Sequence, residues 1–449
     1  MVATTPLEAW IRKKACIGSD LMGRSFVEAL EGYQLRLMNE TIEYAQRNAP
    51  FYRSRASSQP GRPLVCLSDI AGIPFTTPSD IARDPFAFLA VRQAEVARVV
   101  TLRTSGSTGE AKRLFFTQED LELTVDFFHH GMSTLVRPGQ RAMIFLPAER
   151  SDSVGDLLVR GLARMGVSAF AYGPVSDPLD AARAIASFSA HCLVGIPTQV
   201  LAVARSRAGA AIGKGGVESV LLSTDYVPRA IADALRDIWG CRVFNHYGMT
   251  ETGLGGGVEC EALEGYHLRE ADLYFEVVDR ETGKVCPDGT MGEVVFTTLT
   301  RRGMPLIRYK TGDMARMIPE TCPCGSSLRR METVRGRWEG VIPLGRGATL
   351  FLSDMDEALF SLPGLLDYRV TLSRGREGRF RLHIDVHTVE EARLAEEEVL
   401  LMLDTVDAIR TAIGASALEM PTVSFSSEGR WMTTGVAKRK IVHATGLDA

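Results

Sequence analysis

The chain has 449 residues, of which 45% are apolar and 24% are charged, and its formal net charge is −4. This length suffices for two or three domains of a globular protein, and the slightly acidic balance excludes a basic footprint for nucleic acid or for a membrane surface. Eight cysteines in so long a chain predict a reducing, cytoplasmic compartment rather than a disulfide framework. We expect no signal peptide, because no basic head followed by an apolar run opens the chain, and no spanning helix, because no stretch of about 18 apolar residues occurs.

The first half of the chain alternates helical and strand-like patterns. Apolar spacing predicts an amphipathic helix over 26–47, and residues from Val154 to Met165 place apolar side chains on one helical face. The short buried strands predicted here are 142–147, 168–172, 193–196, 220–222 and 243–244. Strands separated by helices predict βαβ units and a largely parallel sheet. The Gly/Ala-rich run 208–216 is interpreted as a surface loop.

The second half is richer in β-strand patterns. YFEVVD and GEVVFTTL flank a Pro287-Asp288-Gly289 turn, which indicates an antiparallel sheet. Beyond residue 337, alternation from Phe380 to Val386, a long helix over 389–413 and a strand at 422–427 predict an α+β domain. We therefore expect an α/β fold. We expect residues 1–336 to form a large N-terminal domain of doubly wound βαβ subdomains plus a β-rich subdomain, and residues 337–449 to form a small α+β C-terminal domain.

The segment TSGSTGEAK at 104–112 combines glycines with hydroxyl groups and one ammonium group. Glycines permit a tight turn that exposes amide N–H groups, and the side chains add donors for phosphate oxygens. The candidate phosphate-binding residues are Ser105, Gly106, Ser107, Thr108, Gly109 and Lys112. A Ser/Gly-rich surface turn would have the same composition. The segment is not a GxxxxGK[ST] loop, because its lysine follows the second glycine by three residues.

The same segment resembles the phosphate loop of the adenylate-forming superfamily, which comprises acyl-CoA synthetases, luciferases and peptide-synthetase adenylation domains. Three further segments resemble motifs of that superfamily in the same order: NHYGMTET at 245–252, RYKTGD at 308–313 and RGRWE at 335–339. The resemblance implies the following roles: adenine stacking by Tyr247 beside Gly248, a contact of Thr250 with the AMP phosphate, Mg²⁺ binding by Glu251, hydrogen bonds of Asp313 with the ribose hydroxyls, and a nucleotide contact by Arg337, with Glu339 at the hinge position. It also implies that the small domain rotates between two half-reactions.

Three cysteines and one histidine form a second candidate site. Soft thiolates and an imidazole, from Cys260, His267, Cys322 and Cys324, suit a closed tetrahedral Zn²⁺ site of structural type. Unrelated buried thiols and a surface histidine are the alternative. The surrounding sequence resembles the phenylacetate–CoA ligase branch through these segments: PFYR, PFTTPSDI, GVEC, GYHL, FTTLT, MPLIRY and TCPCG. That branch implies a zinc clip in the β-rich subdomain, an aryl or arylacetyl acid as substrate, and a homodimer.

Three features depart from the family pattern. The segment STDYVP at 223–228 stands where relatives carry a Gly-Ala-Glu-Pro-like sequence beside the adenine and acyl pocket. His129 and His130 fall in the region that helps to form the wall of the acyl pocket, where each is either a satisfied or surface histidine or a contact for a polar substrate. At the C-terminus, the ungapped alignment puts Val436 at the position of the family's catalytic lysine.

A small shift of register lets Lys438 serve as that lysine, with Lys440 in reserve. We therefore expect an enzyme that uses ATP, Mg²⁺ and coenzyme A to activate a small, aromatic carboxylic acid. A synthetase that adenylates a cofactor-like or carrier-linked substrate without forming a CoA thioester is one alternative. A non-catalytic adenylate-binding protein is the other.

Overall fold

The protein is described by a computed structural model over residues 2–55, 62–102, 111–345, 347–375, 378–389, 394–426 and 439–444. None of the helices in these ranges is both long enough and apolar enough to cross a membrane. The predicted loop residues Ser105, Gly106, Ser107, Thr108 and Gly109, and the predicted catalytic Lys438, lie outside the described residues.

The α-helices are α1 (Pro6–Ala15), α2 (Gly23–Asn48), α3 (Pro50–Ser54), α4 (Pro78–Arg83), α5 (Gln118–Met132), α6 (Val154–Arg164), α7 (Pro178–Phe188), α8 (Pro197–Arg205), α9 (Arg207–Ile212), α10 (Arg229–Trp239), α11 (Leu352–Leu359), α12 (Glu396–Asp404) and α13 (Asp407–Gly414). The first strands are β1 (Arg98–Leu102), β2 (Lys112–Phe116), β3 (Arg141–Ile144), β4 (Ser168–Ala171), β5 (Cys192–Gly195), β6 (Ser219–Leu222), β7 (Arg242–Tyr247), β8 (Gly257–Glu259), β9 (Tyr266–Leu268), β10 (Leu273–Val278), β11 (Gly292–Thr298) and β12 (Tyr309–Ala315). The remaining strands are β13 (Met317–Ile318), β14 (Arg330–Met331), β15 (Gly336–Arg337), β16 (Ile342–Gly345), β17 (Ala348–Leu350), β18 (Leu365–Arg374), β19 (Phe380–Thr388), β20 (Thr422–Ser426) and β21 (Val442–His443).

The chain groups into two compact units. Unit 1 comprises Met1–Pro138, Arg150–Gly166 and Phe244–Val334, and unit 2 comprises Gly139–Glu149, Val167–Val243 and Arg335–Ala449. The predicted boundary at residue 336 stays a prediction.

Unit 2 contains the predicted parallel sheet. β3 pairs in parallel with β4 and with β5, and β5 pairs in parallel with β6. Every residue of β5 and of β6 is buried, as expected for parallel strands that are covered on both faces. Helices α7 to α10 alternate with these strands along the chain. The predicted βαβ organisation is therefore confirmed.

The C-terminal part of unit 2 is the predicted α+β arrangement. β18 and β19 form an antiparallel pair, to which β20 and β21 add in parallel on opposite sides. One hydrophobic core runs from the parallel sheet and its helices into these C-terminal elements, and it includes Val220, Leu235, Phe360 and Ile384. Residues 337–449 thus share apolar packing with residues 167–243 in this structure.

Unit 1 combines helices with antiparallel sheets. β1 pairs with β2, and β10, β11 and β12 form an antiparallel sheet in which Gly289 of the predicted turn has a left-handed φ of 85°. β7, β8, β9, β14 and β13 form a second antiparallel set. Helix α2 contains the predicted helix 26–47. The predicted antiparallel pairing of YFEVVD with GEVVFTTL, which fall in β10 and β11, is confirmed.

Two predicted elements are wrong. Residues 208–212 of the supposed loop 208–216 belong to helix α9, because the Ser206 hydroxyl caps it by accepting from the Gly209 N–H at 3.0 Å and alanine favours helix. The single helix over 389–413 is instead two helices, α12 and α13. The chain leaves the helix at Thr405, whose hydroxyl donates to the Met402 carbonyl at 2.6 Å, and at Val406, whose backbone is extended.

Candidate active site

A buried cluster in unit 1 joins Lys112, Glu251 and Tyr309. Lys112 opens β2, and its ammonium group pairs with Glu251 and donates to the Tyr309 hydroxyl at 3.1 Å. The Tyr309 hydroxyl donates to Glu251 Oε1 at 2.9 Å. Burial favours the neutral acid, but the Lys112 charge and the hydrogen bonds from Lys112 and Tyr309 outweigh it and hold the pKa of Glu251 below its ordinary value. The carboxylate of Glu251 is therefore charged and held in one orientation.

The backbone around Glu251 is held by its neighbours. Thr250–Thr252 form a single 3₁₀ turn, and the Glu251 carbonyl accepts from Arg301 Nη1 at 2.7 Å. At Gly248 a Cβ atom would lie 2.5 Å from the Leu254 carbonyl oxygen, so only glycine fits there. The motif 245–252 is thus a strand end followed by a compact turn.

Tyr247 and Asp313 form a second buried side-chain contact in unit 1. The Tyr247 hydroxyl donates to Asp313 Oδ2 at 2.9 Å, and both side chains are buried. The N–H of Asp313 donates to the Thr311 hydroxyl at 2.9 Å, which fixes the strand locally. Tyr247 and Asp313 are therefore neighbours, as the shared nucleotide role predicts.

The two contacts connect the same pair of segments. β12 supplies Tyr309 and Asp313, and the segment 247–251 supplies Tyr247 and Glu251. Lys112 reaches this surface from β2, whose partner strand β1 ends at Leu102, directly opposite Lys112. The structure therefore brings together Lys112, which follows the predicted phosphate loop, and the residues predicted to bind the nucleotide and Mg²⁺, which are Tyr247, Glu251 and Asp313. Arg337 lies in β15 and Glu339 in the following 3₁₀ turn, both in unit 2.

The predicted zinc ligands also come together. The ligand atoms of Cys260, His267, Cys322 and Cys324 all lie within 4.8 Å of one another, and all four residues are buried. The sulfur atoms of Cys260 and Cys322 are 3.6 Å apart, and Cys324 Sγ is 3.5 Å from His267 Nε2. Burial by itself lowers the pKa of His267, but hydrogen bonds with the three thiols outweigh it and raise the pKa to about 11. The four side chains thus form one buried cluster of potential metal ligands.

The two histidines near the predicted acyl pocket have partners within unit 1. The rings of His129 and His130 stack with centroids 4.3 Å apart. His130 also stacks on Trp10, and its Nε2 lies 3.6 Å from Asp126 Oδ1. Burial, with a smaller contribution from His129, lowers the pKa of His130 to about 4. The packing of α1 against α5 accounts for His130 without a substrate.

The departing segment 223–228 lies in unit 2. Thr224 has a left-handed φ of 77°, which is uncommon for a β-branched residue. Asp225 Oδ1 accepts from the N–H of Tyr226 at 2.9 Å, and the Tyr226 hydroxyl donates to Glu357 at 2.6 Å. This segment therefore contacts helix α11 of the C-terminal part.

Two residues of the site were missed from sequence. Tyr309 stands inside the quoted RYKTGD motif but received no role, although its position in a strand that also carries Asp313 was a usable signal. Arg301, which holds the Glu251 backbone, belongs to no recognisable motif. A buried arginine that contacts a carbonyl leaves no pattern in a single sequence.

Comparisons with known proteins identify the family of the chain. The profile of the AMP-binding enzyme family matches residues 78–299. Phenylacetate-coenzyme A ligase of Aromatoleum evansii is 29% identical over 440 residues, covering 92% of this chain and 94% of that protein. Phenylacetate-coenzyme A ligase of Thermus thermophilus is 30% identical over 384 residues, covering 82% of each chain.

A solved structure has the same fold. The crystal structure of 2-hydroxyisobutyryl-CoA ligase in complex with R3-HIB-AMP aligns with a TM-score of 0.75 over 92% of this chain and 90% of that chain, at 19% identity. This likeness concerns the fold alone. With the sequence similarity along most of its length and the AMP-binding profile, the chain belongs to the phenylacetate–CoA ligase-like branch of the adenylate-forming, AMP-binding enzymes.

Proposed function

We propose that this enzyme activates a small, aromatic carboxylic acid with ATP and transfers the acyl group to coenzyme A. The observation that carries the proposal is the convergence of Lys112, from β2, with Tyr247, Glu251 and Asp313, from two adjoining segments of unit 1. Cationic, acidic and aromatic groups at one surface suit a nucleotide with its phosphates and a divalent cation. The names of the phenylacetate-coenzyme A ligase relatives support an arylacetyl or aryl acid.

The proposed reaction has two steps. A carboxylate oxygen of the acid attacks the α-phosphorus of ATP, the bond to the pyrophosphate oxygen breaks, and pyrophosphate leaves with the electron pair. The thiol sulfur of coenzyme A, after losing its proton, then attacks the acyl carbon, the carbon–oxygen bond to AMP breaks, and AMP leaves. Negative charge on the phosphoryl oxygens is what the enzyme has to stabilise in the first step.

Different residues would bind the phosphates, the nucleoside, Mg²⁺ and the acid. Lys112 and the predicted loop residues 105–109 would hold the phosphates, with Thr250 at the α-phosphate. Tyr247, beside Gly248, and Asp313 would bind adenine and ribose, and Arg337 would add a nucleotide contact. Glu251 would hold Mg²⁺, which supplies positive charge at the phosphates when bound. Lys438 would bring the ammonium group that bridges the acid and the α-phosphate.

The cysteine and histidine cluster fits a structural zinc ion. Zinc–sulfur bonds of about 2.3 Å and zinc–nitrogen bonds of about 2.0 Å give tetrahedral edges of roughly 3.8 Å between sulfurs and roughly 3.5 Å between sulfur and nitrogen. The distances of 3.6 Å and 3.5 Å in this cluster agree with those edges. We include this zinc site, a movable C-terminal domain over 337–449, a homodimer and a cytoplasmic location in the proposal.

The test is an activity panel on the purified full chain. Aromatic and arylacetic acids are mixed singly with ATP, Mg²⁺ and coenzyme A, and AMP, pyrophosphate and thioester are measured. We expect at least one acid to give AMP that depends on both the acid and coenzyme A. Failure of the whole panel to do so contradicts the proposal. A stable adenylated product without thiol dependence would instead indicate a synthetase for a cofactor-like or carrier-linked substrate, and ATP binding without pyrophosphate exchange a non-catalytic adenylate-binding protein.

A further inference from the structure

Lys112 and Tyr309 both bind one oxygen atom of the Glu251 carboxylate. The ammonium group of Lys112 pairs with Glu251 Oε1, and the Tyr309 hydroxyl donates to the same oxygen at 2.9 Å. The ammonium group also donates to the Tyr309 hydroxyl at 3.1 Å. The three side chains thus form a closed triangle of hydrogen bonds in which Lys112 supplies the positive charge.

Burial makes this positive charge necessary. Only 11% of the Lys112 side chain and 3% of the Glu251 side chain are exposed, and Tyr309 is fully buried. A buried carboxylate without a cation beside it is strongly unfavourable, because water cannot compensate its charge. The Glu251 carboxylate therefore requires a cation, and Lys112 is the cation that binds it in this structure.

The roles proposed for Lys112 and Glu251 require this ion pair to separate. Glu251 would hold Mg²⁺, which takes oxygen ligands such as carboxylates. An ammonium group on the same carboxylate would repel a divalent cation, and the repulsion is strong where little water screens it. Lys112 would hold the phosphates, but its ammonium group is engaged with Glu251 and Tyr309. One charge must therefore leave the carboxylate when the other arrives.

The side chains of the triangle differ in their freedom to move. The charge of Lys112 stands at the end of a flexible four-carbon stem, so the ammonium group can move while β2 stays paired with β1. The Tyr309 ring is fixed in the sheet, with its centroid 5.4 Å from that of Phe296 on the neighbouring strand β11. After a departure of Lys112, the Tyr309 hydroxyl would still donate to Glu251 and hold the carboxylate in place.

We propose that Lys112 is a stand-in cation, which compensates Glu251 until ATP and its divalent cation bind. The ammonium group then moves to the phosphates, and the divalent cation replaces it at Glu251. Tyr309 is a positioning residue that keeps the carboxylate oriented during this exchange. The inference rests on the proposed Mg²⁺ role of Glu251, and it predicts that a divalent cation without nucleotide has to compete with Lys112.

The first experiment measures Mn²⁺ binding to the full chain without nucleotide, by electron paramagnetic resonance of the free ion. Lys112→Met leaves the Glu251 carboxylate without its cation, so we expect Mn²⁺ to bind roughly tenfold more tightly than to the wild type. Lys112→Met/Glu251→Gln should lose this gain, because the carboxylate is gone. No gain in folded Lys112→Met, or a gain that the double variant keeps, would overturn the proposal.

The matched control is Lys310→Met. Lys310 pairs with Glu293 at 3.0 Å, also in unit 1, and 22% of the Lys310 side chain and 8% of the Glu293 side chain are exposed. We expect this variant to bind Mn²⁺ as the wild type does, because the divalent cation belongs at Glu251 alone. An equal gain in Lys310→Met would mean that any freed carboxylate binds Mn²⁺, which would also overturn the proposal.

The second experiment needs no variant of the ion pair. A crystal structure of the wild-type chain with Mg²⁺ and α,β-methylene-ATP, which cannot release pyrophosphate, shows the partners of Lys112 directly. We expect Lys112 Nζ to lie within hydrogen-bond distance of a phosphate oxygen and the metal to lie at Glu251. A Lys112 ammonium group still paired with Glu251 in that complex would contradict the exchange.

Tyr309→Phe tests the positioning role, since it keeps the ring and removes the hydroxyl. We expect the Mg²⁺ concentration for half-maximal rate to rise roughly fivefold, with kcat at saturating Mg²⁺ within about twofold of the wild type. A merely structural role would instead lower kcat and the melting temperature and leave the Mg²⁺ requirement unchanged. Tyr33→Phe, which removes a hydroxyl that donates to the Ala271 carbonyl at 3.2 Å, should change neither the Mg²⁺ requirement nor kcat.

The first experiment also separates this inference from the proposed function, because it requires no acid and no turnover. If no acid supports the formation of AMP, the proposed function fails. A gain of Mn²⁺ affinity in Lys112→Met that Glu251→Gln abolishes would still support the stand-in cation. If turnover occurs and Lys112→Met gains no Mn²⁺ affinity, the exchange alone fails.

Discussion

Lys112 and Glu251 form a buried ion pair in which each charge depends on the other. Only 3% of the Glu251 side chain and 11% of the Lys112 side chain are exposed, and Tyr309 donates to the same carboxylate oxygen that pairs with Lys112. A buried carboxylate that loses its cation becomes an uncompensated charge. The pair is therefore a candidate catalytic element, and loss of either partner alone should destabilise the fold.

Replacing Lys112 should show that the buried charge of Glu251 depends on Lys112. We expect Lys112→Met to lower the free energy of unfolding by about 3–5 kcal/mol, because it leaves Glu251 charged and buried. The double variant Lys112→Met/Glu251→Gln should be more stable than Lys112→Met alone, with a coupling of about 1 kcal/mol or more. Urea unfolding of the wild type, both single variants and the double variant measures this coupling. Strictly additive losses would mean that the two side chains do not interact in solution.

The loop that carries Cys322 and Cys324 is also the docking surface for helix α1. The Thr4 hydroxyl donates to the Cys324 carbonyl at 3.0 Å, and the Ser326 hydroxyl donates to Glu8 Oε2 at 2.6 Å. The helix thus contacts the residues that follow the predicted zinc ligands. The metal would order the loop, and the loop in turn holds the N-terminal helix.

Metal removal should therefore increase the local unfolding of helix α1 and of the loop 322–328. We expect about one zinc per chain in untagged protein and its loss in Cys322→Ser/Cys324→Ser, because thiolates supply most of the binding. Hydrogen exchange should rise in α1 and in residues 322–328 but not in the pair β18–β19. The matched control is Cys16→Ser/Cys66→Ser, which removes two exposed thiols outside the cluster and should keep the metal. Zinc retained after loss of Cys322 and Cys324 would rule out this site.

The elements that sequence predicted correctly have long or repeated patterns. Helix α2 follows an apolar periodicity over 26 residues, and β3, β5 and β6 are short apolar runs that pack in the core of unit 2. The short helix α9 was missed because its cap at Ser206 matters more than its Gly/Ala composition. Sequence motifs also named Lys112 and Glu251 separately but not their pairing, because a contact across 139 positions depends on how β2 meets the turn 250–252.

On the scale of the folded chain, His246 links stability to pH. It lies in β7 within the motif 245–252, and its ring is near those of Phe127 and Phe128. Burial lowers its pKa from 6.5 to about 4. Between pH 6.5 and about pH 4, His246 is therefore mostly neutral in the folded protein and mostly protonated in the unfolded chain.

The sign of the pH effect follows from this difference. The contribution of His246 to stability is fully present above the unfolded pKa of 6.5 and is lost as pH falls toward the folded pKa of about 4. Between pH 7 and pH 5 the loss should be about 2 kcal/mol, since the unfolded state binds the proton that the folded state refuses. His246→Phe keeps an aromatic ring beside Phe127 and Phe128 but does not titrate. The free energy of unfolding of each protein is measured with urea at pH 7 and at pH 5. Between these pH values that of His246→Phe should fall by about 2 kcal/mol less than that of the wild type, because carboxylates and thiols titrate alike in both proteins. Equal slopes would mean that His246 is solvated and titrates normally in the folded chain.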